Sequence, residues 1–555
     1  MLTRRAFHQT LVGSALAAVL PSLALANTGG AGQDDILLNR LSFGATPQSR
    51  AALARLGPIG WLDAQLGLSD ADVELEQRLS EATLHISYPA GDEPGVGAWV
   101  ATDEMRPLAA LHADPAELVM LLDFTRPMDF SERTRPAQEV IAASLIRAVH
   151  AKAELREVIT QFWHDHFNVN ALKSEGTAAF FASHDALLRR NALGNFRTLL
   201  GEVARSPSML AYLNNEESRA SPANENFARE LLELHTLGAE RYLNDHATEW
   251  RDVAGAIDGQ AEGYIDQDVY EVARAFTGWT VGDGRWIAEG AEAPRTGRFH
   301  YVEAWHDPYQ KRVLGVEFAP NRAPMADGEQ VLDLLAVHPG TARLIATKLI
   351  RRLLTDDPDP KMVARVAGVY LAALDADDQI AQMIREIVMD PLFAATPPGK
   401  VRRPFEFLAA LYRATGVDVW TPEASFDWQL LQAGWHQHSY GPPTGHPDVA
   451  TRWTGPSTLN RLVDFALYAH DDWFGGTLTS LGEQMPAGPV SFVELAGYWT
   501  DRVIGPVSGD RMTELAAVFG IGDADEVQTL TDEDRQGLSV AVVAFAALTP
   551  RFMLR

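Results

Sequence analysis

Two side chains stand out by type and spacing as groups that could do chemistry: a carboxylate set in a leucine stripe and an imidazole set in an apolar helix face. At 100° per residue, the run from Asn224 to Gly238 (NENFARELLELHTLG) places Glu230 between Phe227, Leu234 and Leu237. An ionised carboxylate is costly in such surroundings unless something meets it. The pattern therefore calls for a cation, a protonated imidazole, a metal ion or a raised pKa at Glu230. In the second run, Leu155 to Val169 (LREVITQFWHDHFNV), His166 falls among Leu155, Ile159, Phe162, Trp163 and Val169, and His164 points almost the opposite way.

These groups admit two readings. In one, each is a satisfied core polar group, with His166 bonded to a backbone carbonyl and Glu230 paired with a Lys or Arg. In the other, Glu230 and His166 form a metal or acid–base site, joined by His164, Asp165 or His235. A divalent ion would then take ligands from His164, His166, Glu230 and His235, although the H-E-x-x-H pattern of zinc proteases is absent. His235 lies well round the helix from Glu230 and joins it only if the last turn unwinds before Gly238. Asn226, four residues before Glu230, is placed to hydrogen-bond its carboxylate. Arg229, in a flank ladder with Glu225 and Glu233, and Lys348, on a later apolar helix, are the cations expected to stabilise developing negative charge.

Other clusters have plainer explanations. Asp268 and Glu271 read as a capping box for the helix that ends near Trp279. His306, Asp307 and Lys311 (WHDPYQKRVLG) can cap a turn or form an acid–base group. His436, His438 and His446 share a Gly/Pro-rich loop in a spacing too loose to specify a metal site.

The elements that must position these groups are overwhelmingly helical. The expected fold class is mainly α, one large multi-helix domain with long Gly/Pro-rich loops and little β structure. Two helices are expected between residues 35 and 66, with a turn at Ser42 to Pro47. Residues 86–104 and 281–298 read as a surface excursion and an irregular hairpin. Helices resume over 328–373, broken at His338-Pro339-Gly340, then over 379–415 and after Val490. Residues 27–555 are expected to form that domain, with a helical extension over 490–555.

Composition narrows the chemistry. There is no cysteine, which removes disulfides, thiolate zinc sites, iron–sulfur clusters and a cysteine nucleophile. A net charge of −27 disfavours nucleic acid and anionic lipid surfaces as partners. Residues 1–26 read as a twin-arginine signal: Arg4-Arg5, an apolar run from Leu11 to Leu25, and Ala24-Leu25-Ala26 at the cleavage point. The expected destination is the periplasm or beyond, with no transmembrane anchor after cleavage.

Taken together, RLSFGATP (Arg40 to Pro47), FWHDHFNV (Phe162 to Val169), NENFARELLELHTLG, DVYEVARAFTGWT (Asp268 to Thr280), HDPYQKRVLG (His306 to Gly315) and HPGTARLIATKLIRRLL (His338 to Leu354) resemble the bacterial domain-of-unknown-function family 1800. RRPFEFLAALYRATG (Arg402 to Gly416) and GPPTGHPDVATRW (Gly441 to Trp453) extend the likeness over about residues 35–470. It departs locally at His446, where an aromatic residue is expected. The resemblance implies an exported protein, often encoded beside sulfatase-like proteins of domain-of-unknown-function family 1501, and implies no particular reaction. Two functions stay open: a metal-dependent hydrolase built on Glu230 and His166, and a non-enzymatic binding or assembly protein that partners a sulfatase-like exported protein.

Overall fold

A computed structural model describes residues 33–68, 72–420, 424–468 and 480–555; the expected signal segment lies outside them. The fold is mainly α, as the periodicity requires, and its β structure consists of short two-stranded antiparallel sheets. One continuous core of buried side chains runs from Leu37 to Phe552. No helix among the described residues is long and apolar enough to cross a membrane.

Two helices form the centre. In Arg135–His150, apolar and small residues occupy nearly every turn, and in Pro404–Thr415 every residue is buried. Helices buried nearly all round have little solvent face to offer, so they become the axis on which others pack, and their few charged groups, such as Glu406 and Arg413, are paired within the protein. Gly44 lets the Ser42–Thr46 turn rest on this axis. Its φ is +135°, and a Cβ there would lie 2.9 Å from Ala410 Cβ. The flanking helices Gln33–Leu41 and Pro47–Gly67 match the expected pair, the second opened by a capping box between Thr46 and Ser49 and kinked at Gly57-Pro58.

The expected excursion at 86–104 is a β-ribbon. Thr83–Tyr88 pairs with Thr102–Pro107, and Gly91–Glu93 pairs with Gly97–Trp99 nearer the tip. Leu84 and Ile86 of its paired strands are buried in the core, and Tyr88 packs against it. The segment expected as an irregular hairpin does pair, Trp279–Asp283 with Arg295–Tyr301. One boundary differs from expectation: the helix opens at Asp266, so Asp268 is its third residue and not its cap. The Asp268 carboxylate accepts from the backbone N–H of Ile265 at 3.0 Å and from that of Leu314 at 2.8 Å.

Candidate functional site

The helix Glu154–His166 ends on three polar residues, and successive positions 100° apart send each to a different part of the molecule. His164 Nε2–H donates to Asp185 Oδ1 at 3.0 Å, and Asp185 also accepts from Arg147 Nη1 at 2.8 Å. Asp165 accepts from Arg403 Nη1 at 2.7 Å and from His446 Nδ1 at 3.1 Å. His166 Nε2–H donates to the His235 carbonyl at 3.1 Å, and Lys348 Nζ donates to His166 Nδ1 at 3.1 Å. Two residues on, Asn168 donates to the carbonyls of Tyr440 and Pro442 at 3.0 and 2.9 Å. One octet of sequence thus ties together segments that are remote along the chain.

Burial works to raise the carboxyl pKa of Asp165 and Asp185, but their cationic neighbours outweigh it. Arg403 and His446 hold Asp165 below the usual carboxylate range, and Arg189, Arg147 and His164 hold Asp185 well below it. Burial, reinforced by the charge of Lys348, keeps His166 neutral.

The expected pairing of Glu230 with His166 does not form. The Glu230 side chain is partly buried and makes no hydrogen bond or ion pair among the described residues; burial and Glu233 push its pKa up, and Arg229 pulls it down. The cause is local geometry. The α-helix Glu225–Glu230 passes into a π-helix, Leu231–Thr236, in which Leu237 N–H donates to the Leu232 carbonyl and Thr236 Oγ1 to the Leu231 carbonyl. The buried face then recurs every four residues, at Phe227/Ala228, Leu231/Leu232 and His235/Thr236, which leaves Glu230 and Glu233 on the flank. Asn226 bonds the Leu213 carbonyl instead of Glu230, and Arg229 lies near Glu225 and Asp266 on the outer side.

The wider turn also carries His235 into the core at 1 % exposure, its ring 6.1 Å from that of His166, with neither ring nitrogen hydrogen-bonded among the described residues. Burial, with Lys348 adding to it, lowers its pKa to about 3. The four expected metal ligands therefore occupy three surroundings: His164 on Asp185, His166 beside His235, and Glu230 on the flank. Among the described residues no group of three or more His, Asp or Glu is placed to hold a metal ion.

A different constellation lines a cleft between the central helices. Its polar lining includes Ser144, Glu157, Gln161, His164, Asp185, Arg189 and His438, and it has room for about 20 Å³, roughly one water. Ser144 Oγ lies 2.7 Å from His438 Nε2 and 2.8 Å from the Val140 carbonyl, an alternative acceptor for its proton. The tautomer of His438 is set from behind. Trp435 Nε1–H donates to Gln437 Oε1 at 2.7 Å, which turns the amide NH₂ toward Gln161 Oε1 and toward His438 Nε2 at 3.0 Å. His438 Nε2 is thereby an acceptor, and burial holds the ring neutral. Its ring centroid lies 4.1 Å from that of His164, the imidazole that carries Asp185. Nothing in the sequence tied Ser144 to His438, and Asp185 and Arg403 had no local signal beyond a charge next to an apolar helix face.

The remaining candidates are capping or ion-pair groups. His338 caps Pro339–Leu353 by accepting from Gly340 N–H at 2.9 Å and donates to the Ala261 carbonyl. Lys311 and His306 both reach Asp327, at 2.7 and 3.3 Å, and Asp307 binds Arg274. His446 lies flat on Trp435 with centroids 3.9 Å apart, filling an aromatic place in the loop where an aromatic residue was expected.

Compared with known families, residues 36–554 match the model of a protein of unknown function, DUF1800, so the likeness reaches further toward the C-terminus than the quoted motifs. No curated protein and no solved structure matches the chain.

Proposed function

The chain belongs to the DUF1800 family, whose function is unknown, and we propose from the geometry of its interior that it is a hydrolytic enzyme with Ser144 as nucleophile and His438 as general base. The observation that carries this reading is the 2.7 Å approach of Ser144 Oγ to His438 Nε2; for the base to act, the Ser144 proton leaves the Val140 carbonyl and the Gln437 amide yields the Nε2 lone pair. Ser144 Oγ attacks an electrophilic carbonyl carbon as its proton passes to His438 Nε2. The imidazolium then returns the proton to the leaving group, and water releases the acyl group from Oγ. Burial and the charges of His164 and Arg189 hold His438 neutral, while Asp185 and Asp165 work the other way, toward the imidazolium that forms in the reaction. The cleft is narrow, so only the reacting end of a substrate enters it.

The test is covalent labelling with a fluorophosphonate probe. Ser144 should be phosphonylated in the intact protein, and Ser144→Ala and His438→Gln should lose the label while keeping the circular dichroism of the parent. An unlabelled parent protein, or a label that persists in Ser144→Ala, overturns the assignment.

A second reading, a non-enzymatic binding or assembly protein beside a sulfatase-like partner, is favoured by one observation: the charges of the FWHDHFNV octet are all engaged within the protein. Co-purification with that partner from an unlabelled parent protein would support it. Export by the twin-arginine route is part of either reading and rests on Arg4-Arg5 and the apolar run after them. Replacing both arginines by lysine should retain a fused reporter in the cytoplasm.

A further inference from the structure

Lys348, His166 and His235 form a cluster that the Ser144–His438 reading does not use. The His235 carbonyl can only accept, so the 3.1 Å contact from His166 Nε2 places the ring proton on Nε2 and leaves Nδ1 bare. That bare nitrogen is the one 3.1 Å from Lys348 Nζ. A second Lys348 contact runs to the Leu234 carbonyl at 3.3 Å, so the amine is held by the end of the π-helix and by an imidazole. No carboxylate among the described residues lies within ion-pairing distance of Nζ; Asp165 reaches it only as a more distant charge. Arg351 adds a second positive charge nearby. His235, close enough to Lys348 for its charge to be felt, keeps two buried ring nitrogens without a partner.

We propose that Lys348 is a nucleophilic amine that condenses with a small aldehyde or ketone, with His166 Nδ1 taking its proton. The Nζ lone pair forms a bond to the carbonyl carbon as the C=O π pair moves onto oxygen. One Nζ proton passes through His166 Nδ1 to the alkoxide, giving the carbinolamine; the second Nζ proton then follows the same path to the hydroxyl, which leaves as water as the nitrogen lone pair forms the C=N bond of the imine. An unpartnered nitrogen of His235 is available to the carbinolamine oxygen. Burial, with Arg351 adding to it, lowers the Lys348 pKa to about 8, which enlarges the free-amine population at neutral pH. A π-turn packed against a buried lysine and two histidines is also a setting in which strained helical geometry recurs at functional sites.

The chain offers a favourable background, because lysine is scarce and Lys361 is exposed as an internal reference. The intact protein is treated with acetaldehyde and cyanoborohydride at neutral pH, and alkylation is followed peptide by peptide by mass spectrometry. Lys348 should be alkylated at least about tenfold faster than Lys361, and His166→Gln should bring its rate down to that of Lys361. Equal or slower modification of Lys348 in the parent protein overturns the proposal, as does an unchanged rate in a folded His166→Gln variant. Should that variant fail to fold, the ratio of Lys348 to Lys361 in the parent decides alone.

Discussion

Arg403 Nη1 lies 2.7 Å from Asp165 Oδ2, joining two motifs 238 residues apart in sequence. The same guanidinium reaches Glu406 through Nε at 3.0 Å and lies over the ring of Trp435. Asp165 has His446 as its other partner, and Glu406 is also paired with Arg352 and Arg555. Arg403→Met should destabilise the fold by about 1–3 kcal/mol, since it leaves Asp165 with His446 alone and takes from Glu406 one of its guanidinium partners. Arg403→Lys should cost less, because it keeps the charge but loses the planar fork. Urea denaturation of the purified variants measures both, and a midpoint unchanged by Arg403→Met would contradict the assignment.

Trp435 offers a way to separate positioning from packing. Trp435→Phe keeps an aromatic ring against His446 but removes the indole N–H that orients Gln437. The Gln437 amide is then free to flip and the His438 tautomer is no longer fixed. Fluorophosphonate labelling of Ser144 should slow by about threefold or more, with little change in thermal midpoint. A labelling rate equal to that of the parent would show that the amide has no such role.

His150 links stability to pH. Its Nε2 accepts from the Val419 backbone N–H at 3.0 Å, a bond that protonation destroys. Burial, helped by Arg78, lowers its pKa from 6.5 to about 4. Because the folded value is the lower one, the unfolded chain takes up the proton first as pH falls. Stability is complete above pH 6.5 and declines toward about 4. This one group should contribute roughly 1–3 kcal/mol to that loss. His150→Gln should flatten the dependence in this window, as read from unfolding free energies at several pH values. A slope identical to the parent's would remove His150 from the account.

Gly445 holds the His446 loop against the helix end. Its φ is +68°, and a Cβ would fall 2.0 Å from the Asp165 carbonyl oxygen. Gly445→Ala should therefore cost about 1–3 kcal/mol through backbone strain alone, with further loss as the loop lifts His446 from Asp165. Thermal unfolding measures the first effect. Loss of the Trp435–His446 stack, followed by tryptophan fluorescence, reports the second.

The helical architecture was legible because long periodic stretches such as Arg135–His150 state their own burial. The site was less so, for a physical reason that shows at Glu230. A fixed 100° step places it inside the stripe, but the Leu231–Thr236 turn is wider and places His235 there instead. His166 was correctly placed in the core, whereas Lys348, expected as one possible counter-ion for a buried carboxylate, is partly buried and meets an imidazole. Asp185 and Arg403 were missed because pairing across the fold leaves no trace in local spacing. Ser144 was missed for a related reason: its partner His438 comes from a loop whose path has no periodicity to extrapolate.

The β-ribbon at Thr83–Pro107 stands largely clear of the core, and the chain has no thiol of its own. A cysteine introduced at exposed Glu93 would thus be a unique attachment point for a fluorophore or spin label, remote from the buried ion pairs. Immobilisation through that handle would present the intact folded molecule to prospective binding partners in one uniform orientation.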